Sequence, residues 1–408
     1  MNTSRRARDE RVVVTGLGIV SAIGRGVANF ARALSEGRNG IHALNNMPVR
    51  IGAPVIDFDP AAEFNASELP MLDRMTQLAI VSAREAVAGS GLNTAGGLGP
   101  RTAVIIGNGS GCLGSVEKSY SGFFADRGKR LHPLTVPRIM SNAPAGHISM
   151  AYGITGPALM VATACASSAY AVTLGMHMIR AGQMDVVIVG GAEACLVEGN
   201  LKGWDALRVL APDTCRPFSK GRRGLVLGEG AAMLVLESYE HARRRGANPL
   251  GEIAGCSTTS DAHHILTPSM DGQAQAMRAC LRDAQVSDDE VGYINAHGTA
   301  TAANDLTETR AIHQVFGAVA PALRVSSTKS MHGHTLGAAG AIELVATLLG
   351  LQNGFSPPTM NYVEADPECD LNYVPNVAQT YRGGVALSNS FAFGGHNAVL
   401  AVRSAALV

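Results

Sequence analysis

The feature that most constrains the fold of this chain is a series of short apolar runs, rich in β-branched residues, each separated from the next by a longer stretch of helical character. The first begins at Val12, and others fall at 102–106, 158–162, 185–189, 231–236, 291–295 and 385–388. A strand with one wet face alternates polar and apolar residues, whereas a run apolar at successive positions is covered on both faces. Such strands alternating with helices give an α/β protein whose sheets lie between helix layers. No Ser/Pro-rich linker divides the chain, so its parts are expected to pack intimately.

Two passages suggest an internal duplication. In one, the run at 158–162 leads through Thr163-Ala-Cys165 into an Ala-rich helical pattern and then the run at 185–189. In the other, Arg324-Val-Ser-Ser327 leads through Lys329 and His334 into a helical pattern from Ala338 to about Leu351. Each offers a strand, a sharp turn carrying a reactive side chain, and a helix, which points to two related halves meeting at one cleft.

Composition removes several functions. Lys plus Arg and Asp plus Glu are both 33, so the formal charge is zero and nucleic acid is excluded as a main partner. Charged residues are 16% of the chain, against roughly 25% in an average soluble protein, a shortage that fits surface covered in an oligomer. Seven widely spaced cysteines with no C-x-x-C pair argue against a disulfide framework or zinc knuckle and fit a reducing cytoplasm. Arg5, Arg6, Arg8 and Arg11 before the run at 12–23 mimic a signal peptide. Asp9 and Glu10 sit among them, Thr15, Gly16, Gly18 and Ser21 interrupt the run, and no small-x-small cleavage site follows. Residues 1–10 read as a frayed tail. No membrane span is expected, since Glu343 interrupts the apolar stretch 336–351.

Four places could carry chemistry. Cys165 falls at a strand-to-helix turn, where free backbone N–H groups and the positive helix end lower a thiol's pKa and offer oxyanion donors; an inert buried cysteine is the alternative. His297, in Asn295-Ala-His297-Gly-Thr299-Ala-Thr301, follows a strand directly and stands at its carboxyl end, where α/β proteins build sites. Ser326-Ser-Thr-Lys329-Ser-Met-His332-Gly-His334 places a lysine and two histidines on one turn, without a third ligand to suggest a metal. Asn389-Ser-Phe-Ala-Phe393-Gly-Gly-His-Asn397 joins two strands through a glycine turn that lets backbone approach a ligand, or is a plain hairpin. Gly16-x-Gly18 lacks the third glycine of a dinucleotide fingerprint.

Taken together with Val13-Val-Thr-Gly-Leu-Gly18 and Thr163-Ala-Cys165-Ala-Ser-Ser168, these ordered motifs span the chain after its tail, which resembles the elongating β-ketoacyl-acyl carrier protein synthases of the thiolase superfamily. The resemblance implies a duplicated α-β-α-β-α five-layer sandwich, with a first half over 11–253 and a second over 254–408. It implies that Cys165 accepts the acyl group and that His297 and His334 complete a Cys-His-His triad. Lys329 would support the triad, and Phe393 would gate the site and share the oxyanion hole with Cys165. Asp305, Glu308 and Glu343 match acidic supporting positions, Glu343 being expected to orient or neutralise Lys329, with solvated helix charges as the alternative. Thr299 and Thr301 fall in the substrate pocket, and Arg208 matches a carrier-docking position. The implied reaction is decarboxylative condensation of a Cys-bound acyl chain with malonyl-carrier protein. It needs no metal or redox cofactor, and its partners would be acyl carrier protein and a second ketosynthase-like subunit, in a homodimer or heterodimer.

The chain departs from the family pattern in places. Cys112 replaces a larger aliphatic residue expected in the pocket wall, and Trp204 a smaller aromatic. The segment Glu68-Leu-Pro-Met-Leu-Asp-Arg74 lacks most of the basic residues expected against an acidic carrier, and Ala392 and His396 replace glycine and threonine in the gating loop. These departures favour a specialised type II polyketide or polyene pathway over primary fatty-acid elongation. A catalytically inactive chain-length-factor-like subunit is disfavoured by the intact triad. A non-decarboxylative thiolase is disfavoured because residues 389–397 contain no cysteine.

Overall fold

A computed structural model describes residues 10–127 and 130–408. The tail expected over residues 1–10 lies outside these, apart from Glu10. The first half contributes strands β1 (Val12–Ser21), β2 (Thr102–Gly107), β3 (Ala158–Val161), β4 (Val186–Glu193) and β5 (Gly230–Ser238). The second contributes β6 (Gly251–Ser260), β7 (Val291–Asn295), β8 (Arg324–Ser326), β9 (Val385–Ala392) and β10 (His396–Ser404).

Spatial order is β3-β2-β4-β5-β1 in the first half and β8-β7-β9-β10-β6 in the second. The pairings repeat as well. β2 is parallel to β3 and β4, and β5 is antiparallel to β4 and β1. In the second half β7 is parallel to β8 and β9, and β10 is antiparallel to β9 and β6. The halves join where β1 pairs antiparallel with β6 through Val12–Ile253, Val13–Glu252 and Val14–Gly251. The duplication suggested by the two strand-turn-helix passages is therefore a repeated sheet topology.

Five helices set the layers: α1 (Arg74–Ser90), α2 (Ser167–Arg180), α3 (Met270–Ala284), α4 (Ala302–Phe316) and α5 (Ala339–Asn353). Helices α2 and α5 lie in the middle and touch both each other and the sheets, α1 covers the outer face of the first half, and α3 lies against β6 and β10 with α4 beside it. The apolar runs follow from this arrangement. Ala103, Ile105, Val187 and Val189 enter the central core, whereas Val104, Ile106, Val186 and Ile188 enter the core under α1. In the second half Ala398, Leu400 and Val402 face the centre while Val399 and Ala401 face α3. Consecutive side chains point to opposite faces and both faces are buried, so no position calls for a polar residue.

The Gly16-x-Gly18 pattern has a packing cause. A Cβ at Gly16 would stand 2.0 Å from the Ala86 carbonyl oxygen, and one at Gly18 would stand 1.9 Å from that of Ser82. Helix α1 thus rests directly on the backbone of β1. Among the described residues, the one helical stretch long and apolar enough to cross a membrane, Leu336–Asn353, is 89% buried inside the protein. Its apolar character belongs to the central layer.

Candidate active site

The two equivalent turns converge between the halves. After β3 the chain reverses through Ala164, a non-glycine residue at φ 49°, and Cys165 emerges just before α2. Positive φ in a residue with a Cβ is strained, and here it delivers the thiol at the start of a helix. Ser167 and Ser168, beside it, are buried and structural. Ser167 Oγ accepts from the Thr163 N–H at 2.9 Å, and Ser168 Oγ accepts from the Ala341 N–H at 2.9 Å, tying α2 to α5.

From the second half, the segment between β8 and α5 brings His334 Nε2 to 3.0 Å from Cys165 Sγ. The His334 backbone N–H is held by the Val226 carbonyl at 2.6 Å. His297, at the end of β7, faces His334 edge-on with ring centroids 5.4 Å apart. Lys329 lies behind His297, donating to its carbonyl at 2.6 Å and standing 3.4 Å from its Nδ1. An ammonium there holds Nδ1 as an acceptor and leaves the ring proton on Nε2, a donor.

Carboxylates fix this loop from beneath. Glu308 accepts the His297 N–H on Oε1 and the Gly298 N–H on Oε2, each at 2.8 Å, and Asn389 donates to Oε1 at 3.2 Å. Asp305 accepts from the backbone of Phe218 at 2.8 Å and Ala300 at 3.1 Å. Glu343 pairs with Lys329, both side chains being fully buried. All three acids are 0% exposed, so the alternative of solvated helix charges is excluded.

Burial governs the proton affinities. It pushes Glu343 up to about 7, with the Lys329 charge opposing it. Asp305 also rises to about 7 by burial, against the Phe218 N–H and Arg222, and Glu308 rises for the same reason. Both His297 and His334 are held well below the usual imidazole value, by burial first and then by the Lys329 charge, so both are neutral near pH 7. The turn was expected to lower the Cys165 thiol. Burial wins instead, pushing it up to about 12 against the attraction of Lys329. The thiol is therefore protonated at rest, with a neutral imidazole nitrogen in contact to accept its proton.

A cleft of about 160 Å³ opens onto this group, lined by Cys165, His297, His334 and the buried Leu225 within and by the exposed Leu207 and Ile265 toward the surface. Phe393, Trp204, Thr299 and Thr301 also line it. Trp204 stacks on Phe393, with centroids 5.9 Å apart and rings 19° from parallel. The Thr299 and Thr301 hydroxyls pair at 2.9 Å, and Thr301 caps α4 by accepting from the Asn304 N–H. Arg208 is exposed and stands between two cleft residues, Leu207 and Val209.

Cys112 is not brought to this cleft. It is 1% exposed in the core under α1, and its thiol donates to the Met140 carbonyl at 3.5 Å. After β2 the chain passes the Cys165 turn, where the Asn108 carbonyl accepts from Ser167 Oγ, and enters the helix Leu113–Ala125 with Cys112 at its N-cap. His332 also points elsewhere, its ring nitrogens contacting the Gly333 carbonyl at 2.9 Å and the Thr328 hydroxyl at 3.0 Å.

Sequence reasoning missed two groups. Glu193, fully buried at the end of β4, accepts from the N–H groups of Gly109 at 2.8 Å and Gly337 at 2.9 Å, and so clamps a loop of each half. Its signal was an acid closing an otherwise apolar strand. Asp261 anchors the glycine turn: its N–H donates to the Gly395 carbonyl at 2.9 Å, and its Oδ1 accepts from Asn397 at 2.7 Å. An isolated aspartate before a loop gave no signal.

A thiol, two neutral imidazoles and a buried lysine–carboxylate pair at the junction of two repeated α/β halves define a thiolase-type acyltransferase. The family models for the β-ketoacyl synthase N-terminal and C-terminal domains match residues 9–242 and 250–363. The chain belongs to the β-ketoacyl synthase family and is a condensing enzyme. It is 45% identical over 400 residues to nodulation protein E of Rhizobium sp. (strain N33), covering 97% of this chain and 99% of that protein. It is 39% identical to 3-oxoacyl-[acyl-carrier-protein] synthase 2 of Coxiella burnetii, covering 96% and 97%. Among solved structures, the ishigamide ketosynthase/chain length factor superposes with a TM-score of 0.92 at 35% identity, covering 98% of this chain and 100% of that one.

Proposed function

We propose that this enzyme joins a Cys165-bound acyl chain to a malonyl-carrier protein in a specialised pathway, with Cys165, His297 and His334 as its catalytic residues. The observation that carries the residue assignment is the 3.0 Å contact between Cys165 Sγ and His334 Nε2, made by turns from opposite halves. Sγ attacks the incoming thioester carbonyl, its proton passes through His334 to the departing thiol, and the acyl group remains on sulfur. Backbone N–H groups of Cys165 and Phe393 hold the oxyanion. The malonyl carboxylate then leaves as carbon dioxide, and the ring N–H of His297, with that of His334 in the tautomer that carries its proton on Nε2, holds the enolate oxygen. The enolate carbon attacks the acyl-Cys165 carbonyl; sulfur departs as thiolate and takes up one proton, so each condensation consumes one. Lys329 with Glu343, and Glu308 with Asp305, act as positioning residues.

The partner assignments rest on the surface. Strand β3 is a sheet edge with Leu159 36% exposed, and an unpaired edge is a template for another strand. The neighbouring helices expose Tyr120, Phe123, Phe124, Val136 and Met150. A second ketosynthase-like subunit covering this face would also lie over Cys112, which puts any influence of that residue on chain length at the subunit junction. Arg208 at the cleft mouth is the docking contact for an acidic carrier. Arg74 is engaged by Glu229 at 2.7 Å, and so does not replace the basic residues missing from that segment. The specialised pathway is favoured by this thin basic surface and by the higher identity to nodulation protein E than to the Coxiella synthase.

Incubation with acyl-carrier protein followed by intact mass measurement tests the nucleophile: wild type gains the acyl mass and Cys165→Ala does not. Absence of the adduct in wild type, where a control synthase forms it, sinks the assignment. Equal turnover of ordinary saturated chains on a housekeeping carrier protein, with no second subunit, rejects the specialised pathway.

A further inference from the structure

One polar side chain in the cleft wall has no part in the chemistry above. Gln273, in the first turn of α3, is 0% exposed and lines the cleft. Among the described residues, neither its Oε1 nor its Nε2 has a hydrogen-bond partner. Several polar side chains lining the same cleft are engaged. Asn304 donates to Asp305 at 3.3 Å and to Glu308 at 3.4 Å, Asn397 donates to Asp261, and Thr299 pairs with Thr301.

Its position follows from the helix. Residues four apart share a face, and Met277, one turn on, meets the Asn389 side chain that also supports Glu308. Gln273 thus sits on the face of α3 turned toward β9 and the His297 loop. Buried polar atoms are almost always paired, because leaving them unpaired is destabilising. A leucine would fill nearly the same space without that penalty.

We propose that Gln273 is a specificity-determining residue whose carboxamide pairs with an amide of the incoming thioester. The proposal rests on the condensing reading and deepens it. A carboxamide presents a donor and an acceptor side by side, and a secondary amide answers either with a group of fixed geometry. A bare acyl chain answers neither. The amide-containing pantetheine arm of a carrier reaches Cys165 through this cleft, which makes it the first source of such a group; a polar substituent on the acyl chain is the second.

The test compares wild type with Gln273→Leu, using hexanoyl thioesters of N-acetylcysteamine, which carries an amide, and of ethanethiol, which does not, together with 3-hydroxyhexanoyl-ethanethiol. Acylation of Cys165 is followed by intact mass at varied thioester concentration, and the thermal midpoint of each free protein is recorded. The expected result is a KM about tenfold higher for the amide thioester alone, in keeping with loss of one buried hydrogen bond. The rate at saturation should be retained, and the midpoint should hold or rise, since leucine removes an unpaired polar group. A penalty confined to the hydroxylated chain overturns the amide assignment, because Gln273 then reads the acyl group instead. Unchanged KM for all three thioesters with a lowered midpoint overturns the proposal, because Gln273 is then structural or satisfied by internal water. Failure of wild type to form any adduct overturns the condensing reading itself, and the proposal with it.

Discussion

The turns that follow β3 and β8 hold equivalent places in the repeated topology, yet they solve different problems. The first spans five residues, 162–166, and delivers one neutral thiol at a helix start. The second spans twelve, 327–338, and must bury an ammonium and place an imidazole. A thiol tolerates an apolar setting, so backbone geometry alone can position it. A buried ammonium needs compensation, and the longer turn reaches it by setting Lys329 against Glu343 from the following helix and the His297 carbonyl from a neighbouring loop. Duplicated topology therefore conserves where side chains emerge and leaves free what each must be paired with.

The largest blow to this contrast should come from the charged turn. Lys329→Ala strands Glu343 in the core, with an expected loss of about 3–5 kcal/mol in urea unfolding, whereas Cys165→Ala should cost far less stability. Equal losses for the two would erase the distinction. His334→Ala should retain some acylation but lower condensation about 10²- to 10³-fold, as for removal of one oxyanion donor. Condensation at the wild-type rate would refute its role at the enolate. A thiol pushed up to about 12 by burial is thiolate only in a fraction that grows tenfold per pH unit below that value. Inactivation by iodoacetamide should therefore climb about tenfold per unit from pH 7 to 10 with no plateau; a plateau near pH 7 would mean that the helix start outweighs burial. The smallest effect should come from Trp204→Ala. Losing an aromatic contact of about 0.5–1.5 kcal/mol should free Phe393 and speed both acylation of Cys165 and loss of the adduct to water by two- to tenfold.

How much of this was legible in the sequence depended on whether a residue's surroundings lie near it in the chain. The strands could be read because burial on both faces leaves a local mark, and the Cys165 turn because a strand, a small residue and a helix adjoin it. His297 and His334 could be named from their motifs. That Glu308 holds the His297 and Gly298 N–H groups, by contrast, depends on how α4 folds back on its own entry loop. Glu193 holds the N–H of Gly337, 144 residues further along the chain, and no local pattern announces such a clamp. The place of Cys112 in a motif points to the pocket wall, but the fold sets its side chain in the core under α1 instead of the cleft. Gln273 looks like any helix-surface glutamine until the packing of α3 against β6 and β10 leaves it without water.

The seam between the halves carries a consequence for how this chain could be cut. Strands β1 and β6 meet at three residue pairs, while α2, α5 and loop contacts such as Glu193 to Gly337 join the rest of the shared surface, so the halves are held by packing as well as by continuity of the polypeptide. A break in the exposed stretch around Gly246–Asn248 would yield two polypeptides, one bearing the thiol and the other both imidazoles. Neither could catalyse condensation alone, so recovered turnover on mixing would count reassembled molecules directly.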